Sequence, residues 1–236
     1  MNNMHHDPQQ QPGFDSALIT PFKELGGEFP EGYASFAGRL ARVRALVFDW
    51  DGVFNNGHKT HLDGSGFTEA DSMGVNMLRF AIWLQNKGEM PITAIVSGAD
   101  NKTAKQFATR EHFNMVMTGV KRKDEALSVL SRDHAVVPEE TAFFFDDIID
   151  FTLAQRCGLR LFFNQPAAPL TRRYVLEHRL ADYITGSTGG NMALREVCEL
   201  LIASLKQFDT VVAARIRFEG KYEQYIQERN RVKTIV

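Results

Sequence analysis

Four short stretches of this chain carry side chains able to do chemistry on a charged small molecule. The first, Phe48-Asp49-Trp50-Asp51-Gly52-Val53, sets two carboxylates two residues apart. The others are Val96-Ser97-Gly98, then Lys123, then Asp146-Asp147-Ile148-Ile149-Asp150. Carboxylates gathered from separate segments repel one another unless a cation sits among them, and an all-oxygen donor set favours Mg²⁺. A lysine, a hydroxyl and a metal ion around one carboxylate form a clamp for a phosphoryl group. Lys123 and Mg²⁺ would neutralise the equatorial oxygens, Ser97 would donate a hydrogen bond, and Asp49 can attack phosphorus in line. Asp51 can swing over the reacting oxygens as general acid and then as base.

Each residue alone has a plainer use. An aspartate after a strand often caps a helix or shapes a turn. Ser97-Gly98 is an ordinary turn dipeptide, and a lone lysine is usually a solvated helix residue, as Lys121 and Arg122 are expected to be. Their order along the chain carries the argument, because it matches the elements that must position them.

Those elements are apolar runs ending in polar residues. Ala45–Phe48, Ile92–Val96, Met115–Met117, Ala142–Phe145 and Leu159–Phe163 read as buried strands. Between them lie segments of helical period: Val75–Lys87, Lys102–His112, Lys123–Ser131, Ile149–Arg156 and Leu170–His178. Strands alternating with helices predict an α/β, Rossmann-like parallel sheet covered on both faces. In such sheets ligands bind outside the carboxyl ends of the strands, which is where the four stretches fall. One segment breaks the alternation. Phe54 to Asp71, with Asp63-Gly64-Ser65-Gly66 between two short alternating stretches, reads as a β-hairpin flap leaving the sheet after the first strand.

Composition narrows the function classes. The 236 residues are 44% apolar, enough for a core, and 27 basic against 29 acidic residues give a formal net charge of −2. A global electrostatic grip on nucleic acid is therefore not expected, and no apolar run approaches the ~18 residues that span a bilayer. Cys157 and Cys198 sit among apolar neighbours and cannot make a disulfide framework or a zinc site alone. Residues 1–13 carry almost nothing to bury and no cationic start before an apolar stretch, so they read as a disordered leader, with His5 and His6 as a solvated pair. The expectation is a cytoplasmic protein without membrane or nucleic-acid partners.

The assembly resembles the four motifs of the haloacid dehalogenase superfamily phosphatases. The first, DxDG(V/T), is quite specific; the others support it in this order and spacing. The resemblance implies that Asp49 is nucleophile and metal ligand, and that Asp51 is acid/base with its backbone carbonyl on Mg²⁺. It implies that Ser97, with Gly98 in the same turn, and Lys123 bind phosphate, and that Asp146 is the third metal ligand. Asp150, with Asp147 able to share the task, would support the metal shell. Gly119-Val120-Lys121-Arg122-Lys123 and Gly189-Gly190-Asn191-Met192-Ala193-Leu194-Arg195-Glu196-Val197-Cys198 extend the likeness to the 3-deoxy-D-manno-octulosonate 8-phosphate phosphatase family, which includes phosphatases for nine-carbon sialic-acid-type sugar phosphates. It covers residues 42–203.

The span 52–96 is used up by the hairpin, a helix and a strand, so no cap domain fits there. A capless site is open to water, which is poor for controlling phosphoryl transfer. In the resembled family hairpins assemble a tetramer whose neighbour helps close the site, and the same use, a homotetramer through segment 54–71, is expected here. Three residues depart from the family pattern. Ala99 replaces an Arg that grips the sugar acid, Phe145 replaces a small residue and is expected to crowd the metal side, and Thr188 replaces a Pro. Loss of the guanidinium argues for a different, less acidic sugar phosphate.

The expected organisation is a leader and arm over residues 1–41, a phosphatase domain over 42–206 and a helical arm over 207–236. Phe14–Gly32 reads as irregular, broken by Pro21, Gly26, Gly27 and Pro30. In the C-terminal arm Val211, Ala214, Phe218, Tyr222 and Tyr225 recur at helical spacing, fitting a helix packed on its own domain or on a neighbouring subunit. The expected activity is Mg²⁺-dependent hydrolysis of a phosphorylated sugar acid, octulosonate- or nonulosonate-type, or a related small sugar phosphate through an aspartyl-phosphate. The alternatives are phosphotransfer to a metabolite acceptor and a catalytically retired oligomeric scaffold or regulatory module. A receiver domain also phosphorylates an Asp, but Asp51-Gly52 on the first strand is the wrong place for it.

Overall fold

Five apolar runs do become strands, and a sixth, Tyr183–Ile184, joins them at one edge. The computed structural model describes residues 14–60 and 64–236. Its sheet is built from β1 (Ala45–Phe48), β2 (Ile92–Val96), β3 (Met115–Met117), β4 (Thr141–Phe145), β5 (Leu159–Phe162) and β6 (Tyr183–Ile184). All pairings are parallel, in the order β3-β2-β1-β4-β5-β6. Because side chains alternate along a strand, Leu46 and Phe48 of β1 enter one core and Ala45 and Val47 the other. The first core is closed by α2 (Tyr33–Leu40), α3 (Glu69–Gln85), α4 (Lys102–Arg110) and α8 (Ala193–Ser204). The second is closed by α5 (Glu125–His134), α6 (Phe151–Ala154) and α7 (Pro169–Glu177). Both faces are thus apolar, which is why the strands read as continuous apolar runs.

The arms cover the sheet edges, where unpaired backbone groups would otherwise invite association. Residues 14–32, expected to be irregular, contain the helix α1 (Phe14–Glu24), with Pro21 tolerated inside it. Proline 21 removes one intrahelical N–H bond near the helix end rather than breaking the helix. Glu28 then bridges antiparallel to Ile184 of β6, and a Cβ at Gly27 would sit 2.0 Å from the Tyr183 hydroxyl. At the opposite edge Ile235 bridges Met115 of β3.

The single C-terminal helix suggested by the spacing is two, α9 (Phe208–Arg217) and α10 (Lys221–Arg229). Phe218 adopts a left-handed conformation (φ 53°) and Gly220 has φ 62°, which breaks the helix between them. Tyr222 and Tyr225 are buried, and the Tyr225 hydroxyl donates to the Asn76 backbone carbonyl at 3.1 Å. The arm packs on α3 of its own domain. Among the described residues no helix is long and apolar enough to cross a membrane.

The flap also differs from expectation. A regular β-hairpin over Phe54 to Asp71 is not formed by the described residues, which show one antiparallel bridge, Thr60 with Gly64. Thr68 instead caps α3: its Oγ1 accepts from the Asp71 backbone N–H at 3.0 Å, so Glu69 to Asp71 are helical and α3 begins six residues before the expected Val75. Phe54 and Phe67 are drawn inward against Phe107, at ring centroids of 4.9 and 4.8 Å. The leader and His61, Leu62 and Asp63 lie outside the described residues.

Candidate active site

Register brings the acids together. Phe48 of β1 stands level with Ile95 of β2 and Phe144 of β4, so Asp49, Ser97 and Asp146 all emerge at the carboxyl edge. The following Gly52 has φ 86°, and a Cβ there would lie 1.9 Å from Asp146 Oδ2. Only glycine lets the β1 loop turn beside the β4 carboxylate.

Carboxylate oxygens of Asp49, Asp146 and Asp150 lie within 4.8 Å of one another. Lys123 is 1% exposed, and its Nζ donates to Asp49 Oδ1 and to Asp150 Oδ1, each at 2.5 Å. Burial, then repulsion from Asp150, pushes Asp49 up to about 7 despite the opposing pull of Lys123. Burial and the charges of Asp49 and Asp150 push Asp146 up to about 8. Asp150 is also raised, mainly by burial. Burial works against the charged ammonium of Lys123, but Asp49 and Asp150 outweigh it and hold its pKa above the ordinary lysine value. Three carboxylates against one ammonium leave two negative charges in a buried space, which a divalent cation with a taste for oxygen would balance. The donor set fits Mg²⁺.

The two remaining acids part company. Asp147 is exposed and its carboxylate accepts from the Ile148 backbone N–H at 2.7 Å, shaping the 3-10 turn Ile148–Asp150. Asp150 alone of the two converges on the cluster. The carboxylate of Asp51 stands apart, receiving the Ser65 hydroxyl on Oδ1 and pairing with Lys59 Nζ at 2.8 Å through Oδ2. Ser97 is buried, and its Oγ accepts from the Ala99 backbone N–H at 3.4 Å.

A cavity of about 300 Å³ opens over these groups, lined by Asp49, Asp51, Gly52, Asn56, Gly57, Gly98, Ala99, Lys123, Asp146, Asp147, Ile149 and Gln165. Phe145 is not among them. Its ring stacks on Phe143 at 5.3 Å and meets Phe162 at 5.4 Å in the second core, because side-chain alternation turns it away from the edge where Asp146 emerges. The expected crowding of the metal side does not occur.

Sequence reasoning missed Gln165, Asn56, Lys59, Ser65 and Asn101. Gln165 follows β5, and its Nε2 donates to Asp146 Oδ2 at 3.2 Å; the rule that ligands gather after parallel strands could have found it. The Gly189-Gly190 stretch earns its glycines by close approach: a Cβ at Gly189 would lie 1.8 Å from the Gly52 carbonyl oxygen. Glu196 holds that loop from behind, accepting from the backbone N–H of Gly186 at 2.9 Å and of Ser187 at 2.8 Å.

No family model matches the chain. The 3-deoxy-D-manno-octulosonate 8-phosphate phosphatase of Escherichia coli is 27% identical over 181 residues, covering 75% of this chain and 88% of that protein. The crystal structure of a probable YrbI-family phosphatase from Pseudomonas syringae matches with a TM-score of 0.63 at 27% identity, over 79% of this chain and 99% of that one. That of the 3-deoxy-D-manno-octulosonate 8-phosphate phosphatase from Moraxella catarrhalis, in complex with magnesium, phosphate and KDO, shares the fold at a TM-score of 0.65 and 24% identity, over 78% and 99%. Strand order, the carboxylate cluster and these likenesses agree: in sequence and in fold the chain is similar to the 3-deoxy-D-manno-octulosonate 8-phosphate phosphatases.

Proposed function

We propose that the protein is a Mg²⁺-dependent phosphomonoesterase acting on a phosphorylated sugar acid, octulosonate- or nonulosonate-type, or a related small sugar phosphate. The observation that carries the reading is the cluster of Asp49, Asp146 and Asp150, with Asp49 and Asp150 paired to the buried Lys123, at a cavity sized for a small molecule. When bound, Mg²⁺ supplies the charge that keeps these carboxylates ionised and offsets the charge of the phosphoryl group.

The chain's own residues account for the rest. Asp49 attacks phosphorus, the bond to the leaving oxygen breaks, and Asp51 gives that oxygen its proton. Lys123 pairs with the phosphoryl oxygens as Asp49 changes from carboxylate to acyl phosphate. Water then attacks phosphorus, Asp51 takes its proton, and Asp49 returns as carboxylate with inorganic phosphate released. Gly98, in the turn after Ser97, lines the phosphate end, and Gln165 orients Asp146. Ala99, where the resembled family has Arg, leaves the substrate end without a bidentate carboxylate grip.

The reading extends to a cytoplasmic protein that self-associates as a homotetramer through segment 54–71, whose residues Asn56 to Thr60 are exposed beside the cavity. Light scattering on the full chain, with and without a deletion in this segment, tests the association. The function itself is tested by incubating purified protein and Mg²⁺ with a panel of phosphorylated sugars and sugar acids. Phosphate release from a sugar-acid phosphate that is lost in Asp49→Asn supports it. Transfer to an acceptor sugar without phosphate release, or no turnover of any ester, contradicts it.

A further inference from the structure

We propose that Ser65 is a positioning residue that fixes the Asp51 carboxylate for proton transfer to the leaving group. The proposal deepens the reading above and rests on it. A serine hydroxyl has one proton and two lone pairs. Trp50 Nε1, which can only donate, reaches Ser65 Oγ at 3.0 Å. Asn101 Nδ2 reaches it at 2.7 Å. The Asn101 amide cannot be turned over without loss, since its Oδ1 accepts from the Thr103 backbone N–H at 3.2 Å as the N-cap of α4. Both lone pairs of Ser65 are therefore taken, and its only proton goes to Asp51 Oδ1. Ser65 and Asn101 are each 1% exposed and Trp50 is fully buried, so water does not compete.

This directionality has a consequence for Asp51. Its Oδ1 is committed to a donor at the back of the site, so Oδ2 is the oxygen left to exchange a proton at the cavity. Oδ2 pairs with Lys59, whose half-exposed ammonium can leave for solvent when substrate enters. The stretch Gly64-Ser65-Gly66 now has a use. Gly64 has φ 78°, and a Cβ there would lie 2.6 Å from Asn101 Oδ1, so glycine lets the turn press against the start of α4 and deliver the hydroxyl beneath Asp51.

The test compares kcat/KM for an alkyl phosphate, whose leaving oxygen needs a proton, with that for an aryl phosphate, which departs as a stable phenolate. Ser65→Ala should lower the alkyl value about tenfold, a part of the roughly 10²–10⁴-fold that acid–base catalysis supplies, and the aryl value much less. Ser65→Thr, which keeps the hydroxyl, should restore it. Trp50→Phe, which keeps the ring packing and removes one fixing donor, should show a smaller loss with the same leaving-group bias. In an Asp51→Asn background Ser65→Ala should cost nothing further, because it acts only through Asp51. Equal losses for both esters, or additivity with Asp51→Asn, would overturn the positioning role while leaving the phosphatase reading intact. Full alkyl phosphatase activity in Asp51→Asn would overturn both.

Discussion

The two sides of the cavity are built on different principles. On the metal side, Asp49, Asp146 and Asp150 crowd together, two of them paired with the buried Lys123, and burial and mutual repulsion raise their pKa values. On the proton side, Asp51 is partly exposed and, among the described residues, meets donors from Ser65 and Lys59. The first is a charge excess that calls for a cation; the second is a carboxylate already satisfied and held by its direction. The comparison teaches that one site can separate charge storage from proton handling by placing the first on strand ends and the second under a loop.

Removing the nucleophile should have the largest effect. Asp49→Asn is expected to cut phosphatase turnover by at least about a thousandfold in a steady-state phosphate-release assay, while circular dichroism stays native. Lys123→Met comes next. It strands two buried carboxylates, so chemical denaturation of the metal-free protein should show a loss of about 3–5 kcal/mol, partly recovered with Mg²⁺. An unchanged stability would mean that the metal side is not the strained cluster described here.

A backbone substitution probes how the sides are joined. Gly189→Ala would drive a Cβ onto the Gly52 carbonyl and should cost about 1–3 kcal/mol in the same denaturation experiment. A gentler probe is pH. Asp49 and Asp146 move from the ordinary 3.8 to about 7 and about 8 in the folded metal-free chain. Raised folded values mean that the folded state keeps protons the unfolded chain has lost. The stability these groups contribute is complete below about pH 4 and is lost as pH rises through about 8. The thermal shift on adding Mg²⁺ to metal-free protein should therefore be larger at pH 8 than at pH 5; the reverse order would contradict the account. Smallest is Lys59→Ala on the proton side. Its half-exposed pair with Asp51 is worth about 0–1 kcal/mol, so kcat/KM should change by no more than a few fold.

The same contrast explains what could be read in the sequence. That Asp49, Lys123, Asp146 and Asp150 meet is legible because each follows or faces an apolar run whose strand character is plain, and parallel register does the rest. Asp147 and Asp150 could not be separated by type, since only the 3-10 turn decides which one points inward. Ser65, Lys59 and Asn101 left no periodic signal. Ser65 and Lys59 belong to a loop whose shape is set by a helix cap at Thr68 and by the inward pull of Phe54 and Phe67, and Asn101 is the N-cap of α4 that this loop meets. Phe145 was misplaced for a related reason: its departure from a family pattern was visible, but the face of β4 it occupies follows from alternation.

The most direct measurement is the site of phosphorylation. Protein incubated with Mg²⁺ and substrate, quenched, reduced with borohydride and digested should yield peptides in which Asp49, and no other acid, has become homoserine. Reduction at Asp51, Asp146 or Asp150 instead, or at no residue while substrate is turned over, would contradict the account.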